Sequence, residues 1–135
     1  MSTDPTIVLD AEGFSRVVRR DRDMLHWLVS ALKCDWEVFV SAATLVEAVD
    51  PQISRAAARW SESKLDVVSV SADTSHTATD MLRTARLHGH THALDALVAA
   101  TAAELSRPVT ILTSDPADLT QLTQDHPKIL VQPLT

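Results

Sequence analysis

Short β-branched runs alternate with helical periodicity along the chain. Thr6-Ile7-Val8-Leu9 is apolar without alternation, the pattern of a strand buried on both faces, and it stops at Asp10. Residues 12–18 and then about 21–33 read as helical, with Met24, Leu25, Leu28, Val29 and Leu32 at helical spacing. The charged run Arg19-Arg20-Asp21-Arg22-Asp23 between them is a solvated connection. Val38-Phe39-Val40 predicts a second strand. Ser41 then caps a helix carrying Leu45, Val46, Glu47 and Val49, which ends near Asp50-Pro51 because proline disfavours helix in the residue before it. Residues 52–63 form another helix, with Ile53, Ala56, Ala57 and Trp60 on one side, and residues 65–70 are strand-like. Helix returns from 72 to about 87. Residues 109–113 predict a strand, 115–123 a helix and 129–131 a last strand, and residues 1–5 are a polar tail.

Such alternation from end to end argues for a parallel sheet covered by helices on both faces. There is no internal repeat, low-complexity segment or linker, and 135 residues make a single domain over 1–135. In folds of this kind a working site lies beyond the carboxyl ends of the strands, where strand order reverses. One further stretch stands out. His88-Gly89-His90-Thr91-His92 reads as a turn, and the helix after it is small or apolar almost throughout to Leu105. That helix is buried on most sides, yet it carries Asp95 in what reads as its first turn. Asp95 either complements the helix dipole or faces a site that needs negative charge.

Composition narrows the functions. A net charge of −6 argues against a protein built as a basic nucleic-acid glove, but not against an enzyme that meets RNA through cations on an acidic cluster. The single Cys34 excludes an internal disulfide and fits a reducing compartment. No signal-peptide pattern and no apolar run of transmembrane length occurs, so a cytoplasmic protein without membrane attachment is expected. Aromatic residues are scarce, which leaves Ala, Val and Leu to build the core. Trp27, Trp36 and Trp60 read as core or interface residues rather than base-stacking platforms.

Four acids fall at the edge where a site belongs. Asp10 follows the first strand, Glu47 lies in the helix after the second, Asp95 in the helix leading to the fourth, and Asp115 two residues beyond the fourth. Stacked βα units bring these points to one edge. Acids within reach of each other repel unless a cation is bound, and an all-oxygen cluster suits Mg²⁺ or Mn²⁺. A cation so held ionises water and neutralises a phosphate, which makes a phosphodiester the implied substrate. Simpler readings stand beside each residue. Asp10 is also a common turn residue, and Glu47 reads equally as an exposed helix residue. Asp115-Pro116-Ala117-Asp118 has the form of a helix cap, with Asp118 as a dipole-complementing acid.

With these positions in hand, the chain resembles PIN-domain ribonucleases, in particular the small toxins of VapBC toxin–antitoxin pairs. The resemblance covers nearly the whole length. It rests on Ile7-Val8-Leu9-Asp10, Thr44-Leu45-Val46-Glu47, Leu94-Asp95-Ala96-Leu97-Val98-Ala99-Ala100-Thr101-Ala102 and Leu112-Thr113-Ser114-Asp115-Pro116-Ala117-Asp118-Leu119, the third block being the most specific. It implies an α/β, PIN-like three-layer fold, with a central parallel sheet of four to five strands flanked by helices. It also implies metal-dependent endoribonuclease activity with Mg²⁺ or Mn²⁺, an RNA substrate, a small antitoxin partner and a homodimer. Asp10 and Asp95 would be the principal metal ligands, completed by Glu47 and Asp115; these four are the expected catalytic residues. Asp118 falls where an extra acid often occurs, and Thr113 and Ser114 match the family's hydroxyl position loosely as supporting groups. The family usually has Ser or Thr two residues after the first Asp. Here Glu12 stands there, a carboxylate that either joins the metal or turns outward.

Other chemistries fit less well. His88, His90 and His92 alternate in a way that invites zinc, but no cysteine pairs with them, and RNA contact or a plain loop is the simpler reading. Arg83 and Arg86 precede that loop and offer charge to phosphates, or merely form a solvated face. Hydrolases with an aspartyl intermediate want a second Asp two positions on, which Asp10-Ala11-Glu12 lacks. No lysine follows the fourth strand as in phospho-receiver domains, and two glycines cannot build a phosphate loop. The alternative to a nuclease is a non-catalytic RNA- or protein-binding module on the same fold.

Overall fold

The computed structural model describes residues 5–134; apart from Pro5, the polar tail expected at the N-terminus lies outside them. The elements follow in the order β1 (Thr6–Leu9), α1 (Ala11–Val18), α2 (Arg22–Lys33), β2 (Glu37–Ser41), α3 (Ala42–Glu47), α4 (Arg55–Glu62), β3 (Asp66–Val68), α5 (Ala72–Ala85), α6 (Gly89–Glu104), β4 (Val109–Thr113), α7 (Pro116–Leu122) and β5 (Ile129–Pro133). All strand pairs are parallel, in the order β3-β2-β1-β4-β5. The chain therefore builds outward from β1 to β3, crosses back, and lays β4 against the other side of β1. Strand order reverses between β1 and β4, which opens a crevice beyond their carboxyl ends.

Why β1 carries no polar alternation is now plain. Ile7 and Leu9 pack with Val17, Met24, Leu28, Ala31 and Val38 beneath α1 and α2. Val8 points the other way, into a core with Val109, Ile111, Ile129 and residues of α5, α6 and α7. A strand covered on both faces must be apolar at every position. The result is the three-layer α/β arrangement that the sequence predicts.

Helix α6 is the innermost helix, in contact with α3, α5, α7 and three strands. Ala96, Ala99, Ala100 and Ala102 are fully buried, and their small side chains let the helix axis lie close to the sheet. Its carboxyl end is held by Lys128, whose Nζ donates to the carbonyls of Ala103 (2.9 Å) and Leu105. This satisfies acceptors that a helix end otherwise leaves orphaned.

Departures from the sequence reading fall at element ends. The third helix stops at Glu47, and α4 begins at Arg55 instead of near residue 52. Asp50 Oδ1 accepts from the Gln52 amide at 2.9 Å, closing a turn there, and Ser54 takes over as the cap of α4 through the Ala57 amide. The third strand, at one edge of the sheet, covers three residues instead of the six expected. Trp27 and Trp36 pack against the α1/α2 core, whereas Trp60 is 41% exposed, with the cationic groups of Arg20 and Lys64 each 5.2 Å from its ring. Among the described residues no helix is long and apolar enough to cross a membrane.

The close seating of α6 has a measurable consequence. Ala100→Leu, which adds three carbons at a fully buried position, should destabilise the protein by about 1–3 kcal/mol in urea titration. An unchanged unfolding midpoint would show that α6 has slack.

Candidate metal centre

Asp10 ends β1 and starts α1. It is buried, and both of its oxygens are engaged: Oδ1 accepts from the Gly13 amide and Oδ2 from the Ser114 amide, each at 2.9 Å. The first bond caps α1. The second crosses the β1/β4 crevice to the turn that carries Asp115. The turn-residue reading and the site reading of Asp10 are thus both met by one carboxylate, which keeps lone pairs free beyond these two bonds.

On the other side of the crevice, buried Thr113 accepts from the Asp115 amide through Oγ1 at 2.8 Å and so fixes the backbone of the acid. Ser114 is exposed and contributes its amide to Asp10. Asp115 stands at the N-cap of α7, but its side chain makes no capping bond. The cap pattern in the sequence is therefore present in position only. Its pKa is raised, first by burial and then by a hydrogen bond with the Asp118 carboxyl.

Asp95 is where the acids converge. Because α6 begins at Gly89, Asp95 lies in the second turn, not the first as the sequence suggests, and the helix dipole, which acts on the first turn, does not account for it. Its pKa is pushed up from 3.8 to about 6, chiefly by burial and then by the charges of Asp115, Glu47, Asp118 and Asp10. Glu47, the last residue of α3, is likewise raised, by burial and by Asp10. Carboxylate oxygens of Asp95, Asp115 and Asp118 lie within 4.8 Å of one another. With Glu47, His90, Thr91, Ala93 and Leu94, Asp95 lines a shallow cleft of about 240 Å³.

Asp118 thus belongs spatially with the four acids at the strand ends, although its sequence setting reads as a surface acid. The spacing of three residues from Asp115 on one helix was the available signal, since such pairs share a face. The same spacing links His92 to Asp95. His92 Nε2 lies 3.2 Å from Asp118 Oδ2. Glu12 points elsewhere: Oε1 accepts from Arg16 Nε and Arg19 Nη2, each at 3.2 Å. Of the residues considered for RNA contact, Arg83 sits in the last turn of α5 and Arg86 follows it with φ 58°, a left-handed residue that closes the helix. His88 is the N-cap of α6, and exposed His90 lies beside Glu47 and Asp95 in the cleft.

The donor set answers whether a cation suits this place. The acids present only hard oxygen ligands, and burial, followed by the neighbouring acids, raises the pKa values of Asp95, Asp115 and Glu47. A hard divalent cation fits such donors. The larger apolar hollows lie away from the acids; one of about 410 Å³ runs between α2 and α4, lined by Leu25, Leu28, Val29, Leu32 and Trp60.

Comparison with known proteins gives the fold independent support. No protein-family model and no curated protein matches the chain by sequence. By structure, the chain is similar to a chain in the crystal structure of VapBC2 from Rickettsia felis bound to a DNA fragment from their promoter. The TM-score is 0.68 at 15% identity, over 96% of this chain and 99% of that one. The PIN-like architecture, five parallel strands between helical layers, is shared.

The crowding of acids sets a pH dependence for the metal-free protein. Asp95 holds its proton more tightly folded than unfolded, so ionising it opposes folding as pH rises from about 4 to about 6. Asp95→Asn should therefore gain stability relative to the parent across that interval and level off above it. Discounting for the half-exposed setting, the gain is about 1 kcal/mol. Thermal melts in chelator at stepped pH measure it, and a difference that does not change with pH would refute the assignment.

Proposed function

We propose that this protein is a metal-dependent endoribonuclease of the PIN type, a single-domain cytoplasmic protein serving as the toxin of a toxin–antitoxin pair. The observation that carries this reading is the convergence of Asp10, Glu47, Asp95, Asp115 and Asp118 at the strand-order reversal, with Asp95 lifted to about 6. Asp10, Asp95, Glu47 and Asp115 would hold Mg²⁺ or Mn²⁺. When bound, such a cation supplies positive charge to a phosphodiester and makes hydrolytic water reactive at neutral pH.

The chain's own residues account for the rest. Asp10 is fixed by two amides, so its carboxylate does not turn away from its neighbours. Asp95 is carried by a helix whose Ala96, Ala99, Ala100 and Ala102 are fully buried. Thr113 holds the backbone of Asp115. His90 and Thr91 line the cleft and would meet the RNA strand beside its cleaved bond, and Arg83 and Arg86 would offer charge to flanking phosphates. RNA carrying its own negative charge is repelled by the bare acids, which ties substrate binding to cation binding.

A small antitoxin and a second copy of the chain are the protein partners of this reading. Support for the former comes from the neighbouring structure, which is a VapBC2 assembly, and from the exposed apolar hollow between α2 and α4 that a partner segment can cover.

Parent protein with Mn²⁺ should cut single-stranded RNA, and Asp10→Asn or Asp95→Asn should lower the rate at least about 100-fold while circular dichroism stays unchanged. Mn²⁺ should also raise the Tm of the parent and not that of Asp95→Asn. Cleavage by both variants at the parental rate would sink the mechanism. A parent that neither cuts RNA nor responds to Mn²⁺ would point to the non-catalytic binding module.

A further inference from the structure

Of the histidines before Asp95, His92 is given no task by the nuclease reading, and it touches the acidic group directly. We infer that His92 is a positioning residue that holds the Asp118 carboxylate in place for the cation. The inference rests on the metal-centre reading above.

Three observations carry it. First, His92 lies one helical turn before Asp95, so α6 presents both side chains on one face. Second, the contact joins two helices: His92 Nε2 on α6 meets Asp118 Oδ2 on α7 at 3.2 Å, with both side chains under a third exposed. Third, the far side of the ring is held as well. Nδ1 lies 2.8 Å from Thr91 Oγ1, and that hydroxyl lies 3.3 Å from the His88 carbonyl.

Donor and acceptor accounting fixes the roles. An ionised carboxylate only accepts, so Nε2 must carry the hydrogen that faces Asp118. On its other side the ring places Nδ1 2.8 Å from Thr91 Oγ1 and 3.4 Å from the His88 carbonyl, to which the Thr91 hydroxyl donates. The ring is oriented from one side and donates on the other, the arrangement by which supporting residues usually hold a metal-binding carboxylate.

Without that bond Asp118 has reason to leave. It stands among like charges, with oxygens of Asp95 and Asp115 within 4.8 Å, in the first turn of a short helix. Rotation towards solvent would relieve the repulsion. His92 engages Oδ2, on a carboxyl that also meets that of Asp115. Asp118 thereby becomes a working member of the centre, and the histidine loop gains a role that needs no histidine–metal bond.

Calorimetric titration of metal-free protein with Mn²⁺ tests this apart from catalysis. His92→Leu should weaken Mn²⁺ binding about 10-fold or more, while the Tm in chelator does not fall. His92→Gln, whose amide nitrogen reaches about as far as Nε2, should restore binding to within about 3-fold of the parent, an estimate from its retained donor. In an Asp118→Ala background, His92→Leu should cause no further loss. Parental affinity in His92→Leu, no rescue by Gln, or additive losses in the double variant would each overturn the role of His92 and leave the nuclease reading standing. A parent that binds no Mn²⁺ would overturn both.

Discussion

The carboxylate of Asp10 extends the pairing of β1 with β4 beyond the ends of the strands. One oxygen starts α1 through the Gly13 amide; the other reaches the Ser114 amide, more than a hundred residues on, across the reversal in strand order. Glycine at position 13 belongs to the same constraint. A Cβ there would lie 3.3 Å from Leu9 Cδ2 and 3.6 Å from Asp10 Oδ1, so a larger residue would press on the first strand where the acid leaves it. The crevice between β1 and β4 is therefore closed by hydrogen bonds to a charged group, and the other acids are gathered around that closure.

Gathering acids opposes folding, and the framework shows how the opposition is met. Asp95 cannot retreat because alanines on α6 seat it against the sheet and Lys128 holds the far end of the helix. Asp115 is tied through its backbone to Thr113. Glu47 ends its helix, the least confined of the set. The raised pKa values of Asp95, Asp115 and Glu47 record burial first and the nearness of other acids second. Glu12 shows the opposite arrangement one turn away: with Arg16 and Arg19 at hand, its charge is compensated within its own helix. Sequence proximity to Asp10 does not make Glu12 part of the centre.

Much of this was legible in the sequence. Unalternated β-branched runs between helical periods report a doubly covered parallel sheet, and the order of elements stands as read. Strand ends point to Asp10 and Asp115 because parallel topology collects them on one edge. Less visible was anything set by local hydrogen bonding. Asp50 and Ser54 compete to end one helix and begin the next, and periodicity alone does not show which prevails. Asp115 occupies a cap position without a capping bond, and Asp118 lies 3.2 Å from a histidine on another helix. Pairings between helices leave no trace in local pattern. Spacing of three residues marks candidates only.

The central strand pair is also the most separated in sequence, since β1 is complete at Leu9 and its partner β4 begins at Val109. During synthesis, β1 and β2 can pair early, but the second wall of the crevice does not exist until β4 has left the ribosome about a hundred residues later. Long-range pairing of this kind is slow to form. The acids on α3 and α6 therefore wait, unassembled, for the β4–α7 turn to arrive. The order in which the sheet is laid down makes the acidic edge the last part of the fold to be completed.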